Sequence, residues 1–435
     1  MNQPFTITSN RVLISGELHP ASLTIENGVI SEIRDYKDPS LSGRVEDYGD
    51  HIIMPGLIDA HVHINEPGRT EWEGFESATS AGAAGGITTL ADMPLNCSPV
   101  TTSVEALNQK RQAAQHKSVV DCYFYGGLIP GNENQIESLI NEGVPGIKTF
   151  LCHSGLDEFP NSGEKELQAA MPVLARYGKP LLVHAELIDD DIPDNKDPQS
   201  YADFVASRPP RWEVQAIEKL ISLCRETGCH VHIVHLATAE ALPLLQDARN
   251  EGLPVTVETA PHYLFFSAEQ IPDGDTRFKC APPIRSETNR NELWEAVSSG
   301  IIDMVATDHS PCLPKLKETG SGDFQKAWGG ISSLQLLLPA MWTGARNRGF
   351  TPADVSRLLS KKPAQLLGLQ ESAVEISEGR DANITVWNPD NSFVVNPGNL
   401  FHRHSLTPYA GERLYGIIRA TYLRGKKIFQ AIESG

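Results

Sequence analysis

The chain reads as an α/β protein: a (β/α)8, or TIM, barrel carrying a small β-sandwich-like domain built from both ends of the sequence. Three observations carry that expectation. Between residues 54 and 310 one phrase keeps returning, a short apolar run, a loop and then a stretch of helical periodicity. The phrase occurs eight times, and strands alternating with helices imply parallel pairing with helical crossovers. Eight of them fit a closed barrel better than an open sheet, which commonly stops at about five or six strands. The flanking segments 1–53 and 377–435 instead show short alternating strands, with a turn signal at Asn27-Gly28.

The eight runs cover 56–64, 86–94, 119–127, 146–151, 180–186, 230–238, 254–261 and 301–310. Helical segments separate them, such as GEKELQAAMPVLARYG before the fifth and RWEVQAIEKLISLCRET before the sixth, where apolar residues recur at three and four. Neither flank is long enough to bury a good core alone, so 1–53 and 377–435 are expected to pair into one β-domain beside a barrel of 54–376. The loops at 186–210 and 310–330, rich in Asp, Pro, Gly and Ser, are long enough to cover a site.

Composition narrows the function classes. The 435 residues are 40% hydrophobic and 21% charged, an ordinary globular profile that excludes disorder and collagen-like repeats. With 37 Lys and Arg against 55 Asp and Glu, the net charge of −18 repels phosphate backbones and acidic lipid, so neither nucleic acid nor membrane is an expected partner. Apolar stretches fall well short of the ~20 residues that span a bilayer. The N-terminal MNQPFTITSN has no basic-then-apolar leader, and a cytoplasmic location is expected. The seven cysteines contain no C-x-x-C pair and read as reduced thiols rather than a zinc knuckle.

In a barrel, reactive side chains sit at the C-terminal ends of strands, and polar residues there need explaining. His61 and His63 close the first run, Lys148 lies in the fourth, His184 ends the fifth, His235 the sixth and Asp308 the eighth. Residues two apart on a strand share a face, so both imidazoles of His61-Val62-His63 can hold one cation. Alone, H-x-H is a weak signal, and a single buried His is more often a satisfied core residue. His235 is preferred over His230 and His232 because it is nearest the strand end and because opposite parity turns those two to the other face.

A buried Lys148 is costly as an unpaired ammonium. It reads either as half of a salt bridge or as a neutral amine that has taken up carbon dioxide to become a carbamate, an anion able to bridge two cations. Asp308 reads as a helix cap or as a ligand. Taken together on five strands, the six residues favour a binuclear centre: two divalent ions bring +4, and carbamate, Asp308 and a bridging hydroxide remove three. Such a centre activates water, and Asp308 is placed to accept a proton and return it to a leaving nitrogen, which is hydrolysis of a C–N bond.

These residues carry a resemblance. MPGLIDAHVHINEPGRTEWEGFESATSAGAAGGITTLADMPLN at 54–96, GIKTFLCHSGLDEFP at 146–160, HIVHLATAEALPLL at 232–245, VATDHSPC at 305–312 and KAWGGISSLQ at 326–335 resemble the cyclic-amide branch of the amidohydrolase superfamily. The resemblance covers about 50 to 390. It implies that His61, His63, carboxylated Lys148, His184, His235 and Asp308 hold two divalent ions, zinc first among zinc, iron, manganese and cobalt. It further implies Asp308 as acid–base residue, a small-molecule substrate and a homo-oligomer, dimer or tetramer.

Dihydroorotases and hydantoinases share this metal core. The arginine that dihydroorotases carry two residues after the second histidine is here Asn65, which cannot offer the cationic fork a carboxylate favours. Asn96, in Met93-Pro94-Leu95-Asn96, departs from their pattern too. A neutral ring with a ureido tail fits Asn65 and Asn96 better, and the resemblance implies backbone groups of Ala281 and Gly330, in loops that face the ring in relatives, as weaker contacts. His153 is a further residue within reach. A scaffold protein that has lost its ligands is the non-enzyme alternative.

Overall fold

A computed structural model describes residues 3–41, 43–189, 196–370 and 374–431. The first five strands are β1 (Phe5–Ile14), β2 (Glu17–Glu26), β3 (Val29–Asp35), β4 (Arg44–Asp47) and β5 (Ile52–Pro55). Asn27 and Gly28 join β2 to β3 with φ of 53° and 88°, the left-handed pair that a two-residue hairpin turn needs.

The barrel follows with β6 (Leu57–Val62), β7 (Ile87–Asp92), β8 (Asp121–Phe124) running through Tyr125 into β9 (Gly126–Gly127), β10 (Ile147–Phe150), β11 (Leu181–His184), β12 (Val231–Ile233), β13 (Val255–Thr259) and β14 (Met304–Val305). These strands occupy the eight predicted runs in order. Neighbours pair in parallel, β6-β7-β8 and β9-β10-β11-β12-β13-β14. Closure comes just past β14, where Val62 bridges His309 in parallel and the His63 N–H donates to the His309 carbonyl at 2.8 Å.

Strand alternation sorts the apolar residues into two layers. Leu57, Ile87, Leu90, Ile147, Leu181, Val183, Val231, Ile233 and Val257 pack in one cluster with the helices, whereas Ala60, Ala91, Tyr125, Leu182, Val234 and Met304 meet in another. The helix Arg211–Thr227 shows the matching pattern: Trp212, Ala216, Ile217, Leu220, Leu223 and Cys224 recur at three and four and are buried, and the helix stops at Gly228, φ 68°. Each of the larger aliphatic side chains, Ile217, Leu220 and Leu223, contributes about 1.5–3 kcal/mol of transfer free energy when buried.

The chain returns in β15 (Ile384–Val394), β16 (Arg413–Leu423) and β17 (Lys426–Gln430) to complete one mixed sheet, ordered β17-β16-β15-β5-β1-β2-β3 with β4 on β1. The seam is β5 against β15, antiparallel, with Met54 opposite Thr385. Ile7, Val12, Leu23, Ile25 and Ile53 from one end share a core with Ile384, Val386, Ala420 and Tyr422 from the other, so the two ends depend on each other. Among the described residues no helix is long and apolar enough to cross a membrane.

Candidate metal centre

The barrel mouth gathers the six polar residues of the strand ends. His61, His63, His184, His235 and Asp308 line one cavity of about 410 Å³, and Lys148 is wholly buried beside them. A carboxylate oxygen of Asp308 lies 3.2 Å from His61 Nε2 and 3.5 Å from His63 Nε2. The His61 ring sits 5.5 Å from those of His63 and His235, and His184 4.6 Å from His235.

Two of these positions need unusual backbone. His235 follows β12 with φ of 39° and Asp308 follows β14 with φ of 47°. For residues other than glycine such conformations cost on the order of 1–3 kcal/mol, so the surroundings must enforce them. The His235 N–H donates to Glu258 at 3.3 Å and the Leu236 N–H to the Glu258 carbonyl at 2.8 Å. Around Asp308, the Thr307 N–H donates to Asp59 at 3.1 Å, and His309 Nδ1 accepts from the Ser333 N–H at 3.1 Å.

A second layer of carboxylates orients the imidazoles. Glu258 bonds His61 Nδ1 and, at 3.1 Å, His232 Nε2, which leaves His61 Nε2 aimed at the centre. Glu186 bonds His184 Nε2 at 2.7 Å and is itself held by Arg208. Sequence reasoning missed both glutamates. Their signal was present, because a carboxylate inside an apolar run is costly unless something pairs with it.

Charge states follow from these contacts. Burial works to raise Asp308, but His61, His63 and His235 outweigh it and hold the carboxyl well below the usual range. Glu258 is held low in the same way by His61 and His232. Burial pushes His63, His184 and His235 down, and it pushes the Lys148 amine down to about 8 against the pull of Glu258 and Asp308. Neutral imidazoles, ionised carboxylates and an amine brought within reach of its neutral form are the states that a cation site requires.

The fit to a divalent ion rests on what these groups lack. One donor atom each from His61, His63 and Asp308 lies within 4.8 Å of the others. Lys148 Nζ, His63 Nδ1 and His235 Nδ1 are buried with no hydrogen-bond partner, in a fold where most such atoms are satisfied. Nitrogen and carboxylate oxygen donors of this kind suit zinc and its first-row neighbours.

The remaining sequence expectations divide. Asn96, Ala281 and His153 line the cavity. Asn65 and Gly330 do not: the Asn65 amide is buried and donates to the Pro311 carbonyl at 3.2 Å, and the Gly330 N–H is spent on the Lys279 carbonyl at 3.0 Å. His232 is not turned to the outer face. It reaches Glu258 beneath the mouth, because β12 ends at Ile233 and the left-handed His235 breaks the alternation on which parity relied. The loop at 310–330 forms a wall of the cavity. From 186–210 Arg208 does so as well, while 190–195 lies outside the described residues.

A family model described as the amidohydrolase family matches residues 52–428. The chain belongs to the amidohydrolase family. Amidohydrolases generally bind divalent metal ions, and the clustered donors of this chain accord with that. The chain is 46% identical to a "Probable allantoinase" of Oryza sativa subsp. japonica, over 98% of this chain and 88% of that one. It is also 46% identical to an "Allantoinase" of Streptomyces avermitilis, over 97% and 94%. Among solved structures, the L-hydantoinase (dihydropyrimidinase) of Arthrobacter aurescens superposes with a TM-score of 0.91 at 28% identity, covering 99% of this chain and 96% of that one.

Proposed function

We propose that this amidohydrolase opens the five-membered hydantoin ring of allantoin to give allantoate, a step of ureide breakdown. The observation that carries the reading is the convergence of His61, His63, His184, His235 and Asp308 on one cavity with Lys148 buried beside them, in a chain alike over nearly its whole length to proteins named allantoinase. We assign two divalent transition-metal ions, zinc first, to these six residues. Lys148 takes part as a carbamate, formed when neutral Nζ bonds to the carbon of CO2 and releases one proton.

When bound, the ions supply Lewis acidity that polarises the ring carbonyl and lowers the pKa of water. Asp308, ionised at neutral pH, accepts a proton as the water oxygen bonds to the carbonyl carbon. It returns that proton to the ring nitrogen as the C–N bond breaks, leaving a free ureido NH2 and a carboxyl group that gives up the second proton of the water to solvent to become the carboxylate. Glu258 and Glu186 keep the imidazoles of His61 and His184 from turning as charge shifts during the reaction.

The cavity chemistry favours a neutral ring. Among the described residues three cations line it, and each is already engaged: Arg208 with Glu186, Lys279 with the Gln325 and Ala327 carbonyls, and Lys326 with Asp323. Asn96 and the backbone at Ala281 and Gly329 remain for a polar ureido tail, which an apolar wall would leave unpaired at ~1–3 kcal/mol. The test compares kcat/KM for allantoin, dihydroorotate and 5-phenylhydantoin at one metal loading. Allantoin is expected to be turned over best. Dihydroorotate in first place overturns the reading, and equal rates reduce it to a general cyclic amidohydrolase.

A further inference from the structure

One wall of the cavity comes from residues 313–330, which contribute Leu316, Gln325, Lys326, Ala327, Trp328 and Gly329. Apart from a short 3-10 turn at Pro314–Lys317, this stretch has no helix and no strand ladder to place it. A single buried side chain does so instead. Lys317 is 3% exposed, and its Nζ donates to three backbone carbonyls: Lys279 at 2.8 Å, Trp328 at 2.9 Å and Gly330 at 2.5 Å. An ammonium has three N–H donors and no acceptor, so the cup of carbonyls uses all of them.

The three carbonyls belong to two stretches of chain far apart in sequence, and each lies at or beside a cavity-lining residue. Lys279 is itself part of the lining and stands two residues before Ala281, Trp328 also faces the cavity, and Gly330 follows Gly329. Lys279 returns the tie, with its own Nζ donating to the Ala327 carbonyl at 2.6 Å and the Gln325 carbonyl at 3.1 Å. The Gly330 N–H closes the stitch on the Lys279 carbonyl, and the Trp328 N–H reaches the Leu316 carbonyl at 2.7 Å. Burial pushes both amines down to about 8, and the Lys317 charge works in the same direction on Lys279. A buried lysine beside a half-buried one is an expensive way to fill space, and the bonds they make all converge on this wall.

We propose that Lys317 is a positioning residue for the substrate: its ammonium pins the Trp328–Gly329 wall against Ala281, so that ring and tail enter in one orientation over Asp308. The inference rests on the reading of this cavity as the substrate site. Lys317→Met keeps the length and the apolar stem but removes the three donors. The metal-loaded variant is expected to lose ~10²-fold in kcat/KM for allantoin, chiefly through KM, with metal content unchanged. Hydrogen–deuterium exchange is expected to quicken at 316–330 and 279–281 and nowhere else.

A role confined to global stability would lower the folded, active fraction and leave KM where it was. If Lys317→Met does not accumulate as folded protein, Lys279→Met opens the same wall from the other side and is expected to raise KM by a smaller factor. A folded variant with unchanged KM and unchanged exchange at the wall overturns the proposal. The parent reading fails separately, by a wild-type enzyme that does not turn over allantoin.

Discussion

Lys110 and Lys148 are both wholly buried, less than 1% exposed, and the two regions around them treat the same side chain in opposite ways. Lys110, on the helix Val104–Ala114, donates to Asp92 at 2.6 Å and to the Met93 carbonyl at 2.8 Å. Burial works against its charge, but Asp92 outweighs burial and the amine is raised. Lys148, at the barrel mouth, has no hydrogen-bond partner, and burial carries it down to about 8. Burial alone does not make a lysine reactive. What decides is whether a carboxylate stands within bonding distance: at Lys110 one does, and Asp92 in turn accepts the Ile64 N–H at 2.8 Å and steadies the backbone after His63.

The contrast is broken most severely at Lys148. Lys148→Ala is expected to abolish turnover, with partial return on adding a short carboxylate, and, when both proteins are compared free of metal, to leave the denaturation midpoint no lower, since the unmodified amine has no hydrogen bond to lose. Steady-state assays and denaturant titration check the two halves. Asp308→Asn, which keeps size but removes the proton acceptor, is expected to lower kcat by at least ~10²-fold in the folded, metal-loaded enzyme. Lys110→Met is the mirror image. It strands Asp92 as a buried lone charge, so unfolding free energy is expected to drop by about 3–5 kcal/mol while turnover per folded molecule stays near the parent value.

Between these extremes stands Glu258→Gln, which weakens the hold on His61 and is expected to reduce metal affinity ~10–100-fold by competition with a chelator. The smallest effect is one of pH. With the Lys148 amine near 8, its neutral fraction rises between pH 7 and 8.5 by roughly eightfold, because deprotonation removes the charge that blocks attack on CO2. Metal-free enzyme given metal at constant dissolved CO2 is therefore expected to regain activity faster at pH 8.5. Recovery that ignores both pH and added CO2 contradicts the carbamate.

The barrel was legible because its signal is local and repeated: eight apolar runs in sequence order became the eight barrel strands, and Asn27-Gly28 marked a hairpin turn. The residue types gathered at the mouth were visible too, since His61, His63, His184 and Asp308 stand where apolar runs stop. Partners were harder to see. Glu258 looks like any polar residue on a strand until the fold puts His61 and His232 on either side of it. Asn65 is expected at the cavity from its place two residues after His63, and Gly330 from its loop, yet the Asn65 amide turns to the Pro311 carbonyl and a one-residue difference sends Gly329 to the cavity and Gly330 to the backbone beneath. Lys317 left no local trace, because the carbonyls it holds lie up to 38 residues away.

The carbamate is the most direct test of the account, since it alone turns an unpartnered buried lysine into a ligand. Holoenzyme prepared with 13C-bicarbonate is predicted to show a 13C carbamate resonance together with about two metal equivalents per chain, and the Lys148→Ala variant to show neither the resonance nor turnover. An active enzyme with an unmodified Lys148 and a single metal ion would contradict it.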